Sequence, residues 1–159
     1  MRIIGIDPGT GILGFGVIDV IEPTKAKLVT AGVITTPAHT LLEDRLVEIY
    51  EGLTDIITET KPDCMSIEKL YFAQNVTTAI SVSHARGVAM LTGKQAGLAI
   101  YEYTPLEIKQ TIAGYGRATK KQIQEMVKMR LGLREVPKPD DCADALAAAM
   151  THALMTRNS

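Results

Sequence analysis

The chain has 159 residues, of which 46% are hydrophobic and 22% charged, the length and composition of one globular domain that needs no disulfide or structural metal to build a core. No run of 18 or more apolar residues occurs, which excludes a helical membrane span, and with Trp absent the core has to come from aliphatic side chains. The net charge of −1 excludes a uniformly basic polyanion binder but hides an asymmetry: residues 1–68 carry 5 basic and 11 acidic side chains, residues 69–138 carry 11 and 4, and residues 139–159 carry 1 and 3. The basic middle block is either a solvated face or a platform for phosphates.

In chain order, residues 2–7 (RIIGID) and 12–20 (ILGFGVIDV) read as strands joined by the tight turn Pro8-Gly9-Thr10-Gly11, and residues 27–35 form a third β-rich run. Three sequential strands of this kind suggest an antiparallel meander. Residues 41–60 carry Leu42, Leu46, Ile49, Leu53, Ile56 and Ile57 at helical spacing, and Lys61-Pro62 ends that helix. Residues 63–68 (DCMSIE) read as a buried strand reached by a helical crossover, hence parallel to a neighbour. A helix over about 77–95, a strand at 98–103, helices at 105–112 and 119–131, and an Ala-rich closing helix at 140–156 complete the chain. Pro105 sits in a first helical turn, Thr119 is a plausible N-cap and Asp140 lies near the last cap. The expected architecture is a mixed α/β sheet of five strands, three antiparallel and then parallel ones, flanked by helices. Met1 leads straight into a strand with no charged-then-apolar leader, so a cytoplasmic location is expected. Cys64 and Cys142 form no CxxC pair and read as buried free thiols.

Four acids stand out by position. Asp7 ends a strand built of Ile3, Ile4 and Ile6, and Glu68 ends the strand containing Met65 and Ile67. A carboxylate at the end of an apolar strand is costly unless paired, and sites of open α/β sheets gather at the carboxyl ends of strands. Asp141 and Asp144 lie three residues apart on the closing helix and so share one of its faces. Ala143, Ala145, Ala147, Ala148 and Ala149 around them let that helix lie close to the sheet. Capping and the helix dipole account for any one of these helical acids alone. Together the four would repel strongly, and a divalent cation relieves that repulsion. Oxygen-only donors favour Mg²⁺ or Mn²⁺ over Zn²⁺, and His39, His84 and His152 are scattered, structural or surface, with no zinc spacing. Two such ions roughly 3.5–4 Å apart suit phosphodiester hydrolysis.

The segments IGIDPGTGILGFGVI (4–18), SIEKLYF (66–72), HARGVAM (84–90), EIKQTIAGYGRATKKQIQ (107–124) and DDCADALAAAMTH (140–152) resemble, in register, the RuvC-type Holliday junction resolvases. The likeness covers nearly all of residues 1–155, as one nuclease domain. It implies an RNase H-like fold, a homodimer, Mg²⁺-dependent nicking of four-way DNA junctions in recombination and repair, and paired symmetric cuts leaving 5′-phosphate and 3′-hydroxyl ends. It also implies work beside the RuvA–RuvB branch-migration complex. Asp7, Glu68, Asp141 and Asp144 fall at the family's metal positions, two ions per site. Lys109 and Lys120 fall where the family keeps lysines near the scissile phosphate, with Lys121 adjacent to Lys120. The family's junction-stacking aromatic falls at Tyr71, with Phe72 beside it.

The side chains themselves agree with that implication. Lysine suits phosphate as a point charge, and Lys121 beside Lys120 is counted with the DNA-binding residues. Arg86, Lys94, Arg117, Lys128 and Arg130 could extend a DNA groove and loop aromatics could stack on unpaired bases, with surface charge and core packing as the alternative readings. The helix near 77–95, with small residues Ala79, Ser83, Ala85, Gly87 and Ala89, is the candidate dimer interface. Competing readings are an RNase H-like nuclease acting on structured RNA, a junction-binding module that does not cut, and an actin-like or sugar-kinase-type nucleotide-binding module. The last has the GIDPGTGILGFGV glycine turn in its favour. It also requires a second domain for which the chain is too short.

Overall fold

The computed structural model describes residues 1–22, 24–70 and 76–156. Strands β1 (Arg2–Asp7), β2 (Ile12–Glu22) and β3 (Lys25–Thr35) form the expected meander. Helix α1 (Leu42–Thr60) crosses to β4 (Cys64–Glu68), α2 (Val76–Gln95) crosses to β5 (Ala99–Tyr103), and α3 (Pro105–Ala113), α4 (Lys120–Arg130) and α5 (Asp140–Met155) close the chain. The sheet order is β3-β2-β1-β4-β5. β1–β2 and β2–β3 are antiparallel, whereas β1–β4 and β4–β5 are parallel, as short turns and helical crossovers respectively require.

Side-chain alternation along β1 divides the core between the two faces of the sheet. Ile3 joins Ile108, Ile112, Ile123, Val127 and Leu146 under α3, α4 and α5. Ile4 and Ile6 join Ile49, Leu53, Ile57, Met65, Ile67, Ala85 and Ala89 under α1 and α2. Of the apolar stripe expected on α1, Ile49, Leu53 and Ile57 are buried and Leu46 and Ile56 pack partly buried against them, but Leu42, the first residue of the helix, is 37% exposed.

Helix α5 is the central helix of its layer, with residues 145–149 at most 1% exposed. It reaches the sheet through glycine. A Cβ on Gly5 would run into the Ala145 carbonyl and the Ala149 backbone, one on Gly14 into the Asp141 carbonyl, and one on Gly16 into Leu146. Alanines on the helix and glycines on β1 and β2 are therefore two halves of one close packing. The closing helix begins at Asp140 with Pro139 as its cap residue, so Asp140 lies inside the first turn and is not the cap. Helices α3 and α4 each open on a capping box, Thr104 with Glu107 and Thr119 with Gln122. Cys64 and Cys142 are free and buried.

Candidate active site

Register brings the acids together. Ile6 of β1 pairs with Ile67 of β4 in parallel, so Asp7 and Glu68, each one residue on, end neighbouring strands at the same edge. Asp7 lies opposite Gly14 of β2, and it is the bare Gly14 that admits the Asp141 backbone. The first two turns of α5 thereby set Asp141 and Asp144 against the strand ends that carry the other two acids.

The electrostatics record this crowding. Burial first, and then the charges of Glu68, Asp144 and Asp141, push the Asp7 carboxyl up to about 8. Burial and Asp144 push Glu68 up to about 7, against the pull of Lys109 and Lys120. Burial also raises Asp144, partly offset by Lys120. The Lys120 ammonium stands 2.9 Å from Asp144 Oδ2 and 3.8 Å from Asp140 Oδ2, and its hydrogen bond to Asp144 raises its pKa. An open cleft of about 290 Å³ beside them is lined by Glu68, Lys109, Lys120, Asp144, Pro105, Ile108, Ile123 and Ala147.

Among the described residues, no three acids close into a formed metal cage, and the cation that pairs with Asp144 is Lys120. The donor set nevertheless fits a hard divalent ion. It consists of carboxylate oxygens, two of them held near neutrality by burial and mutual repulsion, a state that a bound cation would reverse.

The remaining expected residues separate. Lys120 and Lys121 open α4 on different sides: Lys120 meets the acids, while Lys121 lines a shallow groove with Tyr115, Thr119, Gln122 and Met126. Lys109 lines the acidic cleft and Arg117 is exposed. Arg86 departs from the groove expected of it. Its guanidinium forms an ion pair with Glu102, its Nε donates to the Glu68 carbonyl oxygen at 3.3 Å, and its side chain is 18% exposed, so it is half-buried and engaged by two groups of its own chain. Tyr71 and Phe72 lie outside the described residues. His152 is buried, stacked on Tyr101 with ring centroids 3.9 Å apart and hydrogen-bonded through Nδ1 to the Tyr103 hydroxyl at 2.8 Å.

Two participants escaped the sequence reading. Glu102, the partner of Arg86, had a signal: it lies two residues after Ile100 on β5, so an acid falls on the strand face that carries an apolar side chain. Thr10, 4% exposed and bonded to Ser81 and Thr36, had none beyond membership in a turn, because its partners come from distant segments.

Comparison with known proteins agrees with this geometry. The family model described as Crossover junction endodeoxyribonuclease RuvC matches residues 3–152. The crossover junction endodeoxyribonuclease RuvC of Brevibacillus brevis is 53% identical over 153 residues, covering 96% of this chain and 92% of the relative. The structure of Thermus thermophilus RuvC in complex with Holliday junction substrate superposes with a TM-score of 0.94 at 35% identity, covering 99% of this chain and 96% of that one. The yeast mitochondrial Holliday junction resolvase Ydc2, at a TM-score of 0.65 and 12% identity, shares the fold alone, covering 98% of this chain and 81% of that one. The five-stranded mixed sheet with its flanking helices is the RNase H-like fold. Matched over nearly its whole length in both sequence and structure, the chain belongs to the RuvC family of crossover junction endodeoxyribonucleases.

Proposed function

We propose that the chain is a single-domain endonuclease that resolves four-way DNA junctions by paired symmetric nicks, in recombination and repair. The observation that carries this reading is the meeting of Asp7, Glu68 and Asp144 in one another's fields beside Lys120, at the edge of a cleft, in a member of the RuvC family. Asp7, Glu68, Asp141 and Asp144 would hold the divalent cation, Mg²⁺ or Mn²⁺ and two ions per site. When bound, such ions supply Lewis-acid polarisation of the scissile phosphate and a water acidic enough to attack it.

The chain's own residues do the rest. Lys109 and Lys120 line the cleft as point charges and would seat the non-bridging oxygens of the scissile phosphate. With its pKa raised by Asp144, Lys120 stays cationic at any working pH and can stabilise the charge that grows on phosphate during attack. Water adds to phosphorus and the bond to the 3′ oxygen breaks, so the products are a 5′-phosphate and a 3′-hydroxyl that takes up a proton. Arg117 and Lys121 would guide the flanking backbone, and Tyr71 or Phe72 would stack on an unpaired base.

Two matched nicks require two sites, which an isologous dimer supplies. Support for α2 as its interface comes from the exposed Val76 (69%), Ile80 (52%) and Leu91 (54%), which share an outer face with the open Gly87. We assign the dimer to the cytoplasm, beside the RuvA–RuvB branch-migration complex. No described helix is long and apolar enough to cross a membrane.

The test is nicking of a synthetic four-way junction, with linear duplex as control, in Mg²⁺ and in chelator. Junction-selective, cation-dependent nicks at symmetric positions are expected. Asp7→Asn should abolish cleavage and leave junction binding intact, because the acid holds metal and not DNA. Cleavage by a folded Asp7→Asn protein, or equal nicking of duplex, would sink the proposal.

A further inference from the structure

Helix α2 lies on the face of the sheet opposite the acids and touches the chain beside two of them. In the parallel pairing of β4 and β5, Glu102 stands opposite Ile67 and Glu68 opposite Tyr103. Ile67 belongs to the core layer under α1 and α2, so Glu102 faces that layer and the Glu68 carboxyl takes the other side. Arg86 of α2 pairs with Glu102 and donates through Nε to the Glu68 main-chain carbonyl at 3.3 Å. The residue is thus gripped from behind while its carboxylate faces Asp144 and Lys120. A guanidinium that gives up solvent is retained only if paired, and Glu102 supplies the charge.

Five residues earlier on the same helix, a second contact reaches the turn after Asp7. The Thr10 hydroxyl donates to the Ser81 carbonyl oxygen at 2.5 Å and accepts from the Ser81 hydroxyl at 3.0 Å. The Thr36 hydroxyl donates to the Thr10 carbonyl at 2.6 Å, and Arg45 Nε donates to the Thr36 hydroxyl at 2.8 Å. The turn is therefore anchored to α2, to the segment after β3 and to α1 at once.

We propose that α2 is a positioning element for the active site: through Arg86 at Glu68 and Ser81 at Thr10, it holds the ends of β4 and β1 from behind the sheet, so that both acids meet the cation in register. This rests on the reading of those acids as metal ligands. Arg86 and Thr10 are positioning residues that act through Glu68 and Asp7 and touch neither DNA nor metal.

The experiment compares Arg86→Gln, Arg86→Lys, Glu102→Gln and Thr10→Val with the full-length wild type. Junction affinity and its salt dependence are measured in chelator, and single-turnover nicking across a Mg²⁺ titration. Arg86→Gln is expected to bind the junction like wild type with an unchanged salt slope. Its requirement for Mg²⁺ should rise, or its rate fall, about 10–100-fold, the usual effect of losing a group that orients metal ligands. Arg86→Lys, which keeps the charge but not the fork, should fall between. Glu102→Gln should resemble Arg86→Gln, and the double variant should be no worse than either, since both break one pair.

Weaker junction binding by Arg86→Gln, with a salt slope shallower by about one, would make Arg86 a phosphate contact and overturn the proposal. Wild-type Mg²⁺ dependence in both Arg86→Gln and Thr10→Val would overturn it too. Should Arg86→Gln lose its cooperative melt, Thr10→Val decides, since it exchanges only the bonded hydroxyl for a methyl of similar size: a normal Mg²⁺ titration then defeats the idea. Wild-type nicking in chelator, or nicking by Asp7→Asn, would instead defeat the metal-ligand reading beneath it.

Discussion

A buried carboxyl keeps its proton until something pays for its charge, and Asp7 and Glu68 illustrate this. Asp7, held up to about 8, and Glu68, held up to about 7, have ordinary unfolded values near 4. The folded chain therefore retains protons that the unfolded chain has released. The stability tied to these protonated acids is complete below about pH 4 and is lost as pH rises through about 7 and 8. In chelator, the melting temperature should fall from mildly acidic to mildly alkaline pH, and Asp7→Asn should flatten the fall. A wild-type melting temperature that rises over that range would contradict the burial of these acids. The adjacent lysines separate at the same scale. Lys120→Ala should slow single-turnover nicking by about 10²–10³, as loss of other groups that stabilise transition-state charge does. Lys121→Ala should weaken junction binding and reduce the salt slope by about one while sparing the rate at saturation. Equal rate losses in the two would undo the assignment of Lys120.

Among the elements, α5 does the most to build the site. Its Asp141 and Asp144 meet Asp7 only because glycines at 5, 14 and 16 leave the sheet bare where the helix backbone lands. The obstacles to a Cβ at Gly5 are largely main-chain atoms, which cannot turn aside as a side chain could. Gly5→Ala should therefore cost up to about 3 kcal/mol in denaturant unfolding, near the upper end for overpacking, and should depress nicking by lifting the DxxD face away from Asp7. A stability within experimental error of wild type would show that the helix can slide at no cost. The two capping boxes fix where α3 and α4 start, and with them Lys109 in the second turn of one and Lys120 at the first position of the other. A lysine aimed by a capped helix start loses less entropy on meeting phosphate than one on a loose loop.

At the scale of the whole molecule, the outer face of α2 is an apolar surface left exposed among the described residues. Val76, Ile80 and Leu91 remain exposed on a helix whose inner side is packed by Ala85 and Ala89. If that face joins two copies, Ile80→Glu with Leu91→Glu should give a monomer by light scattering. That monomer should nick junctions singly, with the second cut no longer following the first. A double variant that stays dimeric would move the interface elsewhere. Because α2 also grips the chain at Glu68 and Thr10, the same helix would carry both pairing of the copies and placement of the acids.

The sequence by itself determined the elements, their order and the four acids. Alternation of apolar residues, helical spacing and the Lys61-Pro62 stop are local signals, and an acid closing an apolar strand announces itself because burying its charge is costly. The match of motifs over residues 1–155 then named the family that the comparisons bear out. Only the tertiary structure decided which neighbour each side chain meets. Lys120 and Lys121 are alike in sequence, but one residue of helical rotation sends the first to Asp144 and the second to the Tyr115 groove. Arg86 reads as one more cation of a basic block until β5 places Glu102 beside it. Such pairings depend on strand register and helix docking between residues far apart in the chain, and no local pattern encodes them.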